Sequence, residues 1–255
     1  MVEAEGGAAV SFEVFIGFDP RERLAWNVAC ASLQAQASFP VTVHAIWRQQ
    51  LEALGIYRRP HSMRGLQLYD DISDAPCATE FSLARFGVPM LARQNGWALF
   101  VDVDFLFRAD VWELFKAADR RYAVMVVKHR HAPTEQVKMD AQMQTAYPRK
   151  NWSSCVLWNM QHAANQSQIS NLLNTVSGVR LHGFEWLPDE LIGELPDGEA
   201  WNWLDGHSSS LINPKAVHFT RGTPDMIGYE HTRYAPEWNG YAKALMSKYK
   251  QSGAI

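Results

Sequence analysis

The chain has 255 residues, of which 47% are hydrophobic and 20% charged, enough apolar material to bury one large α/β core. Its formal net charge of -3 gives no global electrostatic case for nucleic acid, which is not expected as a partner. Cys30, Cys77 and Cys155 lie far apart and form no CxxC pair, so they read as reduced core thiols. Met1 to Ala9 is acidic and Gly/Ala-rich, with no basic segment leading into an apolar run, and does not read as a signal peptide. No stretch approaches the roughly 18 apolar residues of a spanning helix. The expected location is cytoplasmic, and the sequon matches at Asn151 and Asn165 are taken as chance.

In chain order, Phe12 to Phe18 reads as a first strand closed by the turn residues Asp19-Pro20. Leu24 to Leu33 has helical apolar spacing, and Val41 to Trp47 is a second strand. This β-α-β start predicts a parallel sheet with its ligand crevice at the carboxyl ends of the strands. Arg48 to Ala78 reads as a long irregular functional loop. Glu80 to Gln94 is an expected helix bent at Pro89, and Ala98 to Phe105 an expected central strand. Asp110 to Ala118 is a helix with Asp110 as N-cap, and Ala123 to Lys128 is a buried strand. Ser154 to Asn159 and Ala216 to Thr220 are strand-like, with a helix over Gln168 to Val176 between them. Tyr241 to Lys250 reads as a basic amphipathic helix, suited to a solvated surface or to weak contact with anionic lipid at the inner face of a membrane. No repeat or linker divides the chain, so the expected organisation is a flexible N-terminus over 1–11, one domain over 12–240 and a tail over 241–255.

Asp102 and Asp104 interrupt the apolar run Leu99 to Phe107. Separated by one residue at a strand end, they point to the same side. Burying unpaired charge is costly, so they should face a cleft, a basic partner or a cation, and a hard divalent ion that also holds a phosphate accounts for both. The plain alternative is an ordinary strand-to-turn junction. Phe18, Asp19 and Arg21 follow the first strand, where an aromatic ring and an acid suit a base and its ribose, although a capped turn explains them as well. Arg85 is either a binder of anionic oxygens or an exposed helical arginine. Asp189 and Glu190 follow Pro188, and they either complement a helix dipole or stand beside a reacting sugar. His218 lies among apolar residues and reads as a core histidine or a ligand. Arg221 and Gly222 follow it, a pair suited to a phosphate. Ser153 belongs to a stretch from Tyr147 to Ser154 rich in hydrogen-bonding and aromatic groups. Such mixtures, like the ten tryptophans, fit polar ring ligands as well as ordinary packing.

The order of these parts is more informative than any one of them. The Phe18-Asp19 turn, the Glu80–Pro89 segment, Phe100-Val101-Asp102-Val103-Asp104, the 151–159 segment, Pro188-Asp189-Glu190 with Trp201-Asn202, and His218-Phe219 span most of residues 12–225. In this order they resemble the GT-A glycosyltransferases, most closely the retaining family-8-like group of glycogenin and the bacterial lipopolysaccharide galactosyl- and glucosyltransferases. The resemblance implies an α/β fold of GT-A type, a Rossmann-like, mostly parallel sheet with flanking helices. It implies that Asp102, Asp104 and His218 hold Mn²⁺ (or Mg²⁺) against the pyrophosphate of a nucleotide-sugar. Asp19, with Phe18 and Arg21 beside it, would meet uracil and ribose, Arg85, Asp189 and Glu190 would surround the donor sugar, and Ser153, Arg221 and Gly222 would also bind the nucleotide-sugar.

The implied activity is transfer of a hexose from a UDP-linked donor, with retention, to a glycan, lipid-linked or protein acceptor. The chain departs from the family pattern in three places. Arg221-Gly222-Thr223-Pro224 stands where Lys-Pro-Trp is common, Ser153-Ser154-Cys155 replaces an Asn-x-Gly strand start, and Asp189-Glu190 replaces an Asp-Gln pair. Two other readings are a GT-A domain that binds nucleotide-sugar or glycan without transfer, and a haloacid-type phosphotransferase. The second also uses Asp-x-Asp after a strand but wants Thr or Val where Phe105-Leu106 stand.

Overall fold

The computed structural model describes residues 12–92, 96–129, 149, 151–166, 168–208 and 213–252. The N-terminal 1–11 segment, Gln94, the 147–148 and 150 positions of the polar stretch, Ser167 and the end of the tail lie outside the described residues. In chain order the strands are β1 (Phe12–Gly17), β2 (Val41–Ile46), β3 (His61–Arg64), β4 (Gln67–Asp70), β5 (Ala75–Cys77), β6 (Trp97–Val101), β7 (Phe105–Phe107), β8 (Val124–Val126), β9 (Cys155–Asn159), β10 (Ile192–Glu194), β11 (Trp203–Leu204) and β12 (Ala216–His218). The helices are α1 (Arg23–Gln36), α2 (Arg48–Ala53), α3 (Val88–Leu91), α4 (Trp112–Lys116), α5 (Ala163–Gln166), α6 (Ile169–Thr175), α7 (Gly178–His182) and α8 (Ala235–Ser252).

The central sheet runs β10-β8-β9-β6-β1-β2. Strand β9 is antiparallel to both of its neighbours, and the other pairings are parallel. The sheet is therefore mostly parallel, and its inner strands β6, β8 and β9 are buried on both faces and read as apolar runs, whereas the edge strand β2 is half-buried and carries Thr42 and His44. Alternation along β1 and β6 sends Phe15, Ala98 and Phe100 into one core layer and Val14, Ile16, Leu99 and Val101 into the other. A second sheet, β11-β12-β7, joins the first through the chain that leaves β6. Helix α1 braces this junction, where Ser32 Oγ accepts the Phe107 amide at 3.1 Å.

Three expectations need correction. The strand expected over Ala98 to Phe105 is two strands in two sheets, so Asp102 and Asp104 sit in the turn between β6 and β7. Arg48 to Ala78 is not irregular. It carries α2 and an antiparallel sheet, β3-β4-β5, whose first hairpin turns at Gly65 with φ +65°. One face of that sheet is solvated, so its short polar strands lack the hydrophobic signature of the central ones. The expected Glu80 helix is broken into turns, a 3₁₀ segment over Ala84–Gly87 and α3, with Pro89 in the first turn of the last. A proline is tolerated there and not deeper in a helix.

At the C-terminus, α8 begins at Ala235, before the expected tail. It buries Trp238 and Ala242 in the core, and Tyr241 and Leu245 pack against that core. Its apolar face is thus occupied, with Met246 left exposed. Among the described residues no helix is long and apolar enough to cross a membrane.

The small sheet is tied to the rest by a buried ion pair. Arg59 Nε and Nη2 donate to the two oxygens of Asp70 at 2.8 and 2.6 Å, and Nη1 donates to the carbonyls of Leu173 and Val176. Burial alone would raise the Asp70 pKa, but the bonds from Arg59 and Ser73 outweigh it and hold the carboxyl below its usual value. Asp70→Ala would leave the Arg59 guanidinium buried and uncompensated, at an expected cost of about 3–5 kcal/mol in urea unfolding. The depressed pKa means that this stabilisation is present above about pH 4, the unfolded value, and fades as pH falls through the lower folded value. The wild-type protein should therefore lose stability more steeply in acid than Asp70→Asn does.

Candidate active site

The carboxyl ends of β1 and β6 lie side by side, with Ile16 opposite Val101. Beyond Val101 the chain turns, and two backbone bonds fix the turn from opposite sheets. The Asp102 amide donates to Ser154 O at 3.0 Å, and the Asp104 carbonyl accepts from the Phe219 amide at 3.0 Å. The second bond, with the antiparallel pairing of His218 to Phe105, brings β12 across the turn. The result is a convergence of three side chains distant in sequence. One ligand atom each from Asp102, Asp104 and His218 lie within 4.8 Å of one another. His218 Nε2 is 3.2 Å from Asp104 Oδ1 and 3.8 Å from Asp102 Oδ2.

The surroundings prepare these groups for a cation. His218 Nδ1 is 2.8 Å from Asn202 Oδ1. Ser154 Oγ donates to Asn151 O and accepts from Asn202 Nδ2, so the Asn202 amide must turn its oxygen to the imidazole. His218 then carries a proton on Nδ1, and Nε2 faces the two aspartates, as a donor to Asp104 while protonated and, once deprotonated, as the lone pair a metal-binding histidine uses. Phe105 stacks on the imidazole with centroids 4.7 Å apart.

Arg85 is not an exposed helical arginine. Its side chain is buried, with Nη1 2.7 Å from Asp102 Oδ1 and 3.0 Å from Ser153 O, and Nε donating to Ser82 O. It engages one oxygen of Asp102 and leaves Oδ2 on the side of His218. Burial raises the Asp102 pKa to about 6, with Arg85 and His218 partly offsetting it. Burial acts the same way on Asp104, but His218 outweighs it and lowers the value. Reciprocally, burial lowers the pKa of His218, but Asp104 and Asp102 together outweigh it and raise the value. Two carboxylates and an imidazole, one of whose nitrogens is already committed elsewhere, form a donor set of the oxygen-and-nitrogen kind that Mn²⁺ accepts.

Asp19 is 1% exposed and fully used. Its oxygens accept the Arg21 amide, Arg21 Nε and Nη2, and the Glu80 amide. These bonds overcome desolvation and keep its pKa below the usual range. The group it presents to solvent is the Arg21 guanidinium, which also donates to Ala78 O. A cleft of about 200 Å³ opens here between the 19–21 turn and the small sheet, bordered by Gln67, Leu68 and the exposed Met63 and Leu66. Phe18 packs edge-on against Trp26 and Trp47. Ser153 Oγ is 2.7 Å from His182 Nδ1, and burial, helped by Arg85, pushes His182 down to about 3, so it is neutral. Asp189 and Glu190 stand exposed on a 3₁₀ turn. Asp189 is ion-paired with Arg149, apart from the three-residue cluster. Arg221 Nη2 is 3.3 Å from Asp205 Oδ2, and Gly222 closes the turn with φ +150°.

Sequence reasoning assigned no role to Asn202, Ser154, Asp205, His182 or Glu22. Asn202 had a weak signal in its Trp-Asn setting. Burial, with Asp104 and Asp19 adding to it, raises the pKa of Glu22 to about 7, and its Oε2 is buried without a hydrogen-bond partner.

No protein-family profile matches the chain. Protein CDI of Arabidopsis thaliana is 43% identical over 232 residues, covering 89% of this chain and 84% of that protein. The chain belongs to the Protein CDI family. Among solved structures it resembles the glycosyltransferase GlyE of Streptococcus pneumoniae TIGR4, with TM-score 0.57, 12% identity and 95% of this chain covered. It resembles the bifunctional glycosyltransferase WbbM with TM-score 0.54 and 14% identity over 94% of this chain. It spans only 64% and 53% of those two chains. It also resembles the galactosyltransferase LgtC, solved with donor and acceptor sugar analogs, with TM-score 0.53 and 10% identity, covering 91% of this chain and 96% of that one. At these identities the likeness shows the fold. This member of the Protein CDI family has the α/β GT-A fold that the order of its motifs implies.

The Asn202 bond makes a prediction about metal affinity. Asn202→Ala should release the His218 tautomer and weaken Mn²⁺ binding about 10–100-fold in calorimetric titration, with an unchanged circular dichroism spectrum. Equal affinity in the two proteins would remove Asn202 from the site.

Proposed function

We propose that this protein is a metal-dependent glycosyltransferase that moves a hexose from a UDP-linked donor to an acceptor, with retention of anomeric configuration. The observation that supports it most is the meeting of Asp102, Asp104 and His218 at the carboxyl edge of a GT-A sheet. A divalent cation held there, Mn²⁺ or Mg²⁺, supplies positive charge against the charge that builds on a departing nucleoside diphosphate. The imidazole favours Mn²⁺ of the two.

The chain's own residues do the rest. Arg85 restrains Asp102 and offsets one of the two acidic charges, so the site is assembled before ligand arrives. Arg221, three residues past His218, offers a half-exposed guanidinium to the diphosphate, and Gly222 after it makes room for the Tyr229 ring. The nucleoside fits the cleft beside Arg21, where a fixed guanidinium and apolar side chains suit a planar base. In this reading Asp19 acts through Arg21, because its carboxylate has no acceptor site to spare. Asp189 and Glu190 are the acids we assign to the reacting carbon, where a carboxylate stabilises oxocarbenium character. Arg149 supports the assignment, since it pairs with Asp189 and lies two residues before the Asn151–Ser154 turn that holds Asn202 and Arg85. A haloacid-type nucleophile finds no support, because Asp102 is already engaged by Arg85.

Release of UDP from UDP-hexose, followed with and without Mn²⁺, tests the proposal. Turnover should need the metal, stop in chelator and be lost in Asp104→Ala, whose thermal unfolding should stay close to wild type. Full turnover in Asp104→Ala or in chelator would overturn the metal assignment. Mn²⁺-dependent UDP binding without sugar release from any hexose donor would favour the non-catalytic reading.

A further inference from the structure

Two ion pairs at the carboxyl edge of the molecule share an unusual polarity. In each the acid is interior and the arginine faces out. Arg21 and Asp19 have side chains 66% and 1% exposed, and Arg221 and Asp205 have side chains 50% and 5% exposed. A buried carboxylate that tethers an outward guanidinium gives that guanidinium one orientation, which an ordinary surface arginine lacks. The first pair follows β1 and the second follows β12, on turns that flank the Asp102–Asp104–His218 cluster.

The second pair carries a further device. Gly206 has φ +76°, and a Cβ built there would lie 2.3 Å from Arg221 Cζ and 2.5 Å from Nε. The guanidinium therefore rests directly on the Gly206 backbone, in space that any side chain would fill. The Asp205 amide donates to the carbonyl of His218, the third member of the cluster. One short turn thus fixes both the strand that carries the imidazole and the direction of the cation.

We propose that Asp205 and Gly206 are positioning residues that hold the Arg221 guanidinium against the diphosphate of the donor, with Asp205 as its counter-ion and Gly206 as its platform. The inference rests on the glycosyltransferase reading above. It assigns a role to two residues that touch no substrate themselves. Arg221 provides two parallel donors to phosphate oxygens once Asp205 has set its plane, and those donors strengthen as charge accumulates on the leaving group.

Inorganic pyrophosphate tests the proposal without any base or sugar. Its binding is titrated in the presence of saturating Mn²⁺ for wild type, Asp205→Asn, Asp205→Glu, Gly206→Ala and Arg221→Gln, and Mn²⁺ affinity and thermal midpoint are measured in parallel. Pyrophosphate affinity should fall about 10-fold or more in Asp205→Asn, Gly206→Ala and Arg221→Gln, recover in part in Asp205→Glu, and leave Mn²⁺ affinity within about twofold of wild type. Wild-type pyrophosphate affinity in both Asp205→Asn and Gly206→Ala would overturn the positioning role. So would an equal loss of Mn²⁺ affinity, which marks a structural part instead. Absence of Mn²⁺-dependent pyrophosphate binding in the wild-type protein would overturn the glycosyltransferase reading itself.

Discussion

Two carboxylates are held in a largely buried turn, and one guanidinium does not balance them. Backbone bonds to Ser154 and from Phe219 fix the turn that carries Asp102 and Asp104 at the junction between β6 and β7. Arg85 offsets one charge. The other is balanced by a proton on His218 or by a divalent cation between the three side chains. Desolvation makes an uncompensated acid here expensive, so the second charge calls for the imidazolium or for a cation, and the cluster is a candidate metal site.

The remaining features arrange themselves around that cluster. Asn202 and Ser154 orient the imidazole, Ser153 and Ser82 orient Arg85, and His182 stays neutral beside it and adds no competing charge. Asp19 and Asp205 do for two outward arginines what Asn202 does for His218. Asp19 holds Arg21 through three bonds and Asp205 holds Arg221 through one. Arg21 and Arg221 thus turn guanidiniums to solvent at this edge, groups suited to a ligand that carries phosphate.

Much of the fold was legible because the central strands are buried on both faces and carry long apolar runs. Phe12–Gly17, Val41–Ile46 and Cys155–Asn159 lie within about a residue of where their patterns end them. The Asp102/Asp104/His218 convergence was legible from the order of the motifs, not from spacing alone. The small β3-β4-β5 sheet was hidden because its strands are three or four residues long and partly solvated. The break between β6 and β7 was hidden because Phe105 to Phe107 continue the apolar run into a different sheet. Arg85 read more readily as an exposed helical arginine, since its burial depends on Ser153, 68 residues away. The supporting roles of Asp205 and Gly206 depend on contacts with Arg221, and no local pattern announces them.

The central claim concerns one cation and three side chains. Crystals grown with Mn²⁺ and UDP, measured at the manganese absorption edge, test it most directly. The account predicts a single anomalous peak bonded to one oxygen each of Asp102 and Asp104 and to His218 Nε2, with the diphosphate on its open side. Ordered UDP with no manganese among these three side chains, or manganese bound elsewhere while Arg85 and His218 neutralise the two aspartates, would contradict it.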